Sequence, residues 1–211
     1  MSTNRKIGLA AAAGALVLLT ACGANDTAST AAPGATTASA TASATASATA
    51  SATASAPPSQ QSFNDADVMF AQMMIPHHQQ AVEMAELAPQ RAKDPEIKKL
   101  AADIKAAQDP EIQTMKGWLA EWGKPVPSGG MGHDMPGIMS AEDMKKLDGA
   151  KGAAFDRLFA EQMIAHHEGA IEMARTEQAS GVNPQAKELA KAIESTQQAE
   201  VAQLRKLLER L

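Results

Sequence analysis

One feature governs what this chain can become: a long stretch of it occurs twice. Phe70-Ala-Gln-Met-Met-Ile-Pro-His-His-Gln-Gln-Ala-Val-Glu-Met-Ala85 aligns with Phe159-Ala-Glu-Gln-Met-Ile-Ala-His-His-Glu-Gly-Ala-Ile-Glu-Met-Ala174, and ten of the sixteen positions are identical at a constant offset of 89. The same offset, without a gap, pairs Asp94-Pro95 with Asn183-Pro184, Leu100-Ala101 with Leu189-Ala190, and Ile104 with Ile193. Each copy is therefore a unit of about 60 residues, and a fold that suits one must suit the other.

The local signals in each copy are helical. Asn64, Asp94 and Asn183 are placed as N-caps, and Pro95 and Pro184 follow at the first helical position, where a missing N–H does no harm. Gly181, after Ser180, reads as a C-terminal stop. Leu189, Ile193, Leu204, Leu207, Leu208 and Leu211 recur at helical spacing, and long runs of β-branched residues are absent. Two helical hairpins with one apolar face each bury those faces best against each other. This predicts an all-α, four-helix bundle with a pseudo-twofold axis. Pro76 and Pro110 fall inside predicted helices and should bend them, whereas their counterparts Ala165 and Ala199 are good helix formers. Ser140 with Asp143 caps a short additional helix over about 141–149.

At 100° per residue, Phe70, Met74, Ala81 and Met84 all lie within about 60° of His77, with His78 about 100° away on the flank. The second copy sets Phe159, Met163, His166, Ala170 and Met173 on the equivalent stripe, with His167 at its edge. Glu83 and Glu172 point elsewhere. A pseudo-twofold that brings the two stripes together makes imidazoles and thioethers converge from two helices. Such a set suits Cu(I) and tolerates Cu(II), whereas calcium and magnesium require clustered oxygen ligands. Met on an apolar stripe also serves as core filler, and buried His as part of a hydrogen-bonded network, so an interaction module with a structural His network is the competing reading. Between the copies, Met131, His133, Met135 and Met139 lie in the Gly-rich segment Gly-Gly-Met-Gly-His-Asp-Met-Pro-Gly-Ile-Met, which suggests a second, flexible soft-metal site.

The chain before the repeats is of another kind. Arg5 and Lys6 precede an apolar stretch from Ile7 to Leu19, too short for a bilayer-spanning helix of ~20 residues, and the run ends Leu-Thr-Ala-Cys22. Residues 1–22 thus read as a lipoprotein signal peptide with a lipobox, leaving Cys22 as the lipidated anchor of a protein outside the cytoplasm. Residues 23–62 are dominated by Ala, Ser and Thr and develop no apolar face, so a disordered tether is expected. All four Phe and both Trp lie from Phe63 onward. The foldable domain is 63–211, with repeat 1 at about 64–122, the Met/His loop at 123–140 and repeat 2 at about 152–211. It carries 17 basic and 23 acidic side chains, a balance that argues against nucleic acid as a partner. A single Cys excludes a disulfide framework or a Cys-rich zinc site.

The two His-His motifs, together with the intervening Met-Ser-Ala-Glu-Asp-Met-Lys-Lys-Leu, resemble domain of unknown function family 305 over essentially all of 63–211. That resemblance implies a small, secreted bacterial protein with a ferritin-like helical fold, similar to periplasmic copper-binding metallochaperones. It points to His77, His78, His166 and His167 with Met74, Met84, Met163 and Met173 beside them, and to copper passing to or from a partner protein. Ferritin-like di-iron chemistry is not expected, because neither His pair has the Glu three residues upstream that such sites use. No Ser-His-Asp or Cys-His arrangement and no phosphate-binding Gly loop is readable, so no catalytic residue and no organic cofactor is assigned. A metal-dependent enzyme would have to recruit Asp67 or Asp156, both near the stripe and both equally placed to cap helices.

Overall fold

The computed structural model describes residues 62–127 and 135–211. The signal segment with Cys22, nearly all of the tether, and the loop residues Met131 and His133 lie outside the described residues. Five helices follow in order: α1 (Asp65–Arg91), α2 (Pro95–Glu121), α3 (Ala141–Gly149), α4 (Ala153–Ser180) and α5 (Pro184–Leu208). There is no strand among the described residues. α1 with α2 and α4 with α5 form the two expected hairpins, joined mainly through α1 against α4, while α2 and α5 barely meet. The short α3 lies against α1 and α4. No described helix is long and apolar enough to cross a membrane.

Capping explains where the helices begin. The Asn64 side chain accepts from the Ala66 and Asp67 N–H groups, and the Asp67 carboxylate accepts in return from Asn64 N–H at 2.6 Å, a reciprocal capping box. Asp94 caps α2 by accepting from Glu96 and Ile97 N–H, and Asn183 caps α5 by accepting from Gln185 and Ala186 N–H, each followed by its proline and neither with a return bond from the third helical residue. Neither Pro76 nor Pro110 ends its helix. Each withholds one N–H from the ladder, and α1 and α2 run on through them. Gly181 does close α4, but with φ −69 rather than a left-handed conformation. A Cβ there would lie 2.1 Å from Glu177 Oε1, so a larger residue at 181 would require the buried Glu177 carboxyl to move.

The hairpins are tied by a pair of reciprocal contacts that obey the pseudo-twofold. Asp67, near the start of α1, accepts from Val182 and Asn183 N–H in the turn before α5, the latter at 2.9 Å. Asp156, at the equivalent place in α4, accepts from Lys93 and Asp94 N–H in the turn before α2, at 2.9 and 3.0 Å. Both carboxylates are buried. Burial alone would raise the Asp67 pKa, but the N–H groups of Asn64, Asn183 and Val182 and the Glu177 carboxyl outweigh it and hold it low. The carboxylates proposed for a metal-dependent enzyme are thus spent on backbone N–H groups at the hairpin turns. Replacing Asp156 by Ala strips a buried turn of its acceptor, and is expected to cost about 2–3 kcal/mol of unfolding free energy, read by urea denaturation.

Glu177 supplies a second check on this end of the bundle. It is buried, and burial first, then the neighbouring Asp67, pushes its pKa up from 4.5 to about 8. A raised folded-state pKa means that the folded form holds a proton which the unfolded chain releases. The associated stability is complete below about 4.5 and is lost as pH rises through about 8. Glu177→Gln keeps the neutral form at every pH, so its thermal midpoint should gain steadily on wild type between pH 5 and pH 9. A constant difference across that range would count against a buried neutral Glu177.

Candidate metal centre

The core of the bundle is two apolar clusters with a polar layer between them. One cluster holds Ile97, Leu100, Ile104, Phe155, Phe159, Leu204 and Leu207, together with Met84 of α1 and Met163 of α4. The other holds Phe70, Ile75, Ile112, Met115, Leu119 and Ile193, together with Met74 of α1 and Met173 of α4. The offset of 89 turns Met74 into Met163 and Met84 into Met173, so the two Met pairs are images of each other. His77 and His78 lie between the clusters along α1, and His166 and His167 lie between them along α4. Gln108 of α2 and Gln197 of α5 complete the layer. All four His side chains are 0% exposed.

The convergence expected on the helical stripes is present. The His77 and His166 rings have centroids 3.8 Å apart and are tilted by 45°. The flanking His of each copy turns instead to the other helix of its own hairpin. His78 Nε2–H donates to Glu111 Oε2 at 2.8 Å, and His167 Nε2 lies 2.8 Å from Glu200 Oε2, the second contact too far off line to be a good hydrogen bond. Glu111 and Glu200, like Gln108 and Gln197, are identical at the offset of 89. That signal extends the repeat beyond the His motifs and could have identified them.

Much of the layer's hydrogen-bonding capacity has no protein partner. His77 Nδ1, His78 Nδ1, both ring nitrogens of His166, His167 Nδ1, Gln108 Oε1 and Gln197 Oε1 are buried and unpaired. A structural network would pair such atoms, since each orphan costs on the order of 1–3 kcal/mol. Burial, followed by the proximity of His78, pushes the His77 pKa down to about 3, against a hydrogen bond to Pro136 that acts in the opposite direction. His166 is also held well below the usual range, by burial first and then by the other three imidazoles. Both are neutral at pH 7 and carry free lone pairs, the state in which imidazole binds a metal.

Of the loop between the copies, residues 128–134 lie outside the described residues. Its described part docks on the His layer, where His77 Nε2–H donates to Pro136 O at 3.1 Å. Met135 is buried and Met139 packs against the first cluster. Gln80 grips the segment twice, donating to Met139 O at 2.9 Å and accepting from Met139 N–H at 2.7 Å. Its counterpart in the second copy is Gly169, where a Cβ would lie 2.0 Å from Pro136 O. The segment itself needs Gly137, which has φ +74 and sits against the backbone of Ala165 and His166. Trp118 and Trp122 stack at 6.0 Å, and Phe63 covers Trp122 at 4.8 Å, so both Trp rings are half-buried flanks of the second cluster.

Among the described residues, no three His, Cys, Asp or Glu side chains gather at metal-binding spacing.

Several solved structures share this helical fold. A DUF305 protein from Streptomyces coelicolor is 34% identical with a TM-score of 0.64, over 68% of this chain and 92% of that one. A DUF305 fragment from Deinococcus radiodurans is 29% identical with a TM-score of 0.65, over 70% of this chain and 98% of that fragment. CopM in its Cu(I)-bound form is 38% identical with a TM-score of 0.59, over 68% of this chain and 95% of CopM. CopM has also been solved with Cu(II) and with silver bound. An uncharacterized protein, L153, of Acanthamoeba polyphaga mimivirus is 44% identical over 61 residues, a match that spans 40% of that protein. The family model for the domain of unknown function DUF305 matches residues 67–208, and the chain belongs to that family.

Proposed function

We propose that this protein binds copper in the buried layer between its two hairpins and stores it or hands it on, without turnover. The observation that carries this reading is the set of buried imidazole nitrogens with no protein partner, bracketed by Met74 with Met173 and by Met84 with Met163. Neutral imidazole with thioether is a donor set for Cu(I) that also accepts Cu(II). The similarity to CopM, solved with Cu(I), Cu(II) and silver, supports the same cargo here. His77, His78, His166 and His167 are the imidazole ligands in this reading. Glu111 and Glu200 act behind His78 and His167, in the way that carboxylates hold the far nitrogen of metal-bound His and fix its tautomer. A partner that loads or unloads the ion belongs to the same proposal.

The place of work follows from the N-terminal segment. Cleavage before Cys22 and lipidation of its sulfur would tether the domain to the outer face of the cell membrane through residues 23–62. This accords with the secretion ascribed to the Streptomyces coelicolor relative. Cys22→Ser should release the protein from the membrane fraction or leave it unprocessed, while the circular dichroism of the helical domain stays the same.

The copper reading is tested by titrating Cu(I) against a competing chelator, using protein purified without a His tag. Replacing His77, His78, His166 and His167 together by Ala should weaken binding at least about tenfold, or ~1.4 kcal/mol. A purely structural histidine layer predicts the opposite pattern, with wild type binding no copper and the quadruple variant simply less stable. Unchanged Cu(I) affinity in a folded quadruple variant would overturn the assignment.

A further inference from the structure

A cleft of about 220 Å³ opens beside the docked loop, between α1 and α4. Its walls include Met69 and Met73 of α1, Met173 of α4, Phe70 and Pro136, with the Glu172 carboxylate and the Glu177 side chain at one side. Met69 is 59% exposed, one of three large apolar side chains so exposed among the described residues, and core packing gives no reason for a Met there. Met69, Met73 and His77 follow one another at four-residue spacing, so they form a ladder along one face of α1. Exposure falls along that ladder from Met69 through the half-buried Met73 to the fully buried His77. Met173 belongs both to the cleft wall and to the apolar cluster beside the His layer. Pro136, which accepts the His77 hydrogen bond, lines the cleft as well, so the wall of the cleft touches the buried histidine directly.

The second copy has no equivalent. Leu158 stands in place of Met69 and Gln162 in place of Met73, and the Gln162 amide donates to Asp143 O. The thioethers are thus confined to the half of the molecule where the loop docks. Thioethers bind soft monovalent cations and discriminate against hydrated hard ones, while a nearby carboxylate favours any cation electrostatically.

We propose that this cleft is an outer site for a soft monovalent cation, held by the thioethers of Met69, Met73 and Met173, from which the ion passes down the Met69–Met73–His77 face to the buried layer. The destination rests on the copper reading above, whereas the outer site does not. The ion exchanges water for thioethers at a partly exposed position, so its dehydration is divided between two stages.

The test uses the full chain carrying Cys22→Ser, which removes the one thiol, with methionine methyl groups labelled with carbon-13 and silver(I) as a redox-inert probe. The methyl resonances of Met69, Met73 and Met173 should all shift on silver titration, and should still do so in His77→Ala/His166→Ala. If the histidine signals of the parent chain stay fixed while these methyls move, the copper reading of the layer fails and the outer site stands. In Met69→Leu/Met73→Leu, which preserves apolar bulk, silver should load the histidine layer about tenfold more slowly or worse, because the local concentration supplied by the cleft is gone. Final occupancy of the layer should be unchanged. Immobile Met69 and Met73 methyls, or a shift at Met173 alone, would overturn the proposal. So would loading of the Leu variant at the wild-type rate.

Discussion

Four imidazoles with no exposed surface, placed in one layer across an apolar bundle, are the constraint on which the rest of this structure depends. Unpaired polar atoms in such a place oppose folding, and five of the eight ring nitrogens have neither a well-formed hydrogen bond nor a carboxylate within reach. The layer persists because the structure on both sides holds it. Above and below lie continuous apolar clusters, each built from both hairpins. At the two ends, Asp67 and Asp156 fasten each hairpin to the turn of the other through buried charge-assisted hydrogen bonds. The pairing of α1 with α4 is thereby fixed at its ends, and the crossing at His77 and His166 follows from it.

Duplication explains the symmetry, and single substitutions explain its useful failures. The same twofold that relates His78–Glu111 to His167–Glu200 would place identical surfaces on both sides of the layer. Where the loop docks it does not: Gln80 faces the loop with an amide, while Gly169 has no side chain at all. The linking segment settles on that side, its backbone against Gly169 and its carbonyl on His77. The ion pairs show a milder version of the same drift. Lys105–Glu86 in the first hairpin corresponds to Glu194–Arg175 in the second, with the charges exchanged between helices and the pairing retained.

Much of this could be read from residue order because it is local or repeated. N-caps at Asn64, Asp94 and Asn183, the α3 cap at Ser140, and the shared stripe of Phe, Met and His all follow from spacing along one chain segment. What stayed hidden depends on register between segments. Helical angles place His78 and His167 on a flank but do not say that α2 and α5 present Glu111 and Glu200 there. Gly181 has the sequence position of a conformational stop and does end α4, but with an ordinary negative φ, so its spacing gives the place and not the geometry. Met135 and Met139 lie in a Gly-rich stretch that reads as mobile; only the Gln80–Gly169 difference, seen in three dimensions, reveals the bed in which the segment lies.

Charge completes the argument for what such a layer would hold. The free energy of bringing an ion out of water rises with the square of its charge, so a dry site of neutral donors favours a monovalent ion over a divalent one. His77 and His166 are neutral and supply no compensating charge. Negative charge reaches the layer only at its edges, through Glu111 and Glu200, each one imidazole removed from the centre. A divalent ion would draw on those two carboxylates through the imidazoles, which become better donors as their far N–H groups are pulled toward the carboxylates. A monovalent ion needs less of that help and gains more from the thioethers of Met74, Met84, Met163 and Met173. If the layer holds copper as proposed, these charges favour Cu(I), and the carboxylate-backed pair His78 and His167 is the feature that would extend its tolerance to Cu(II).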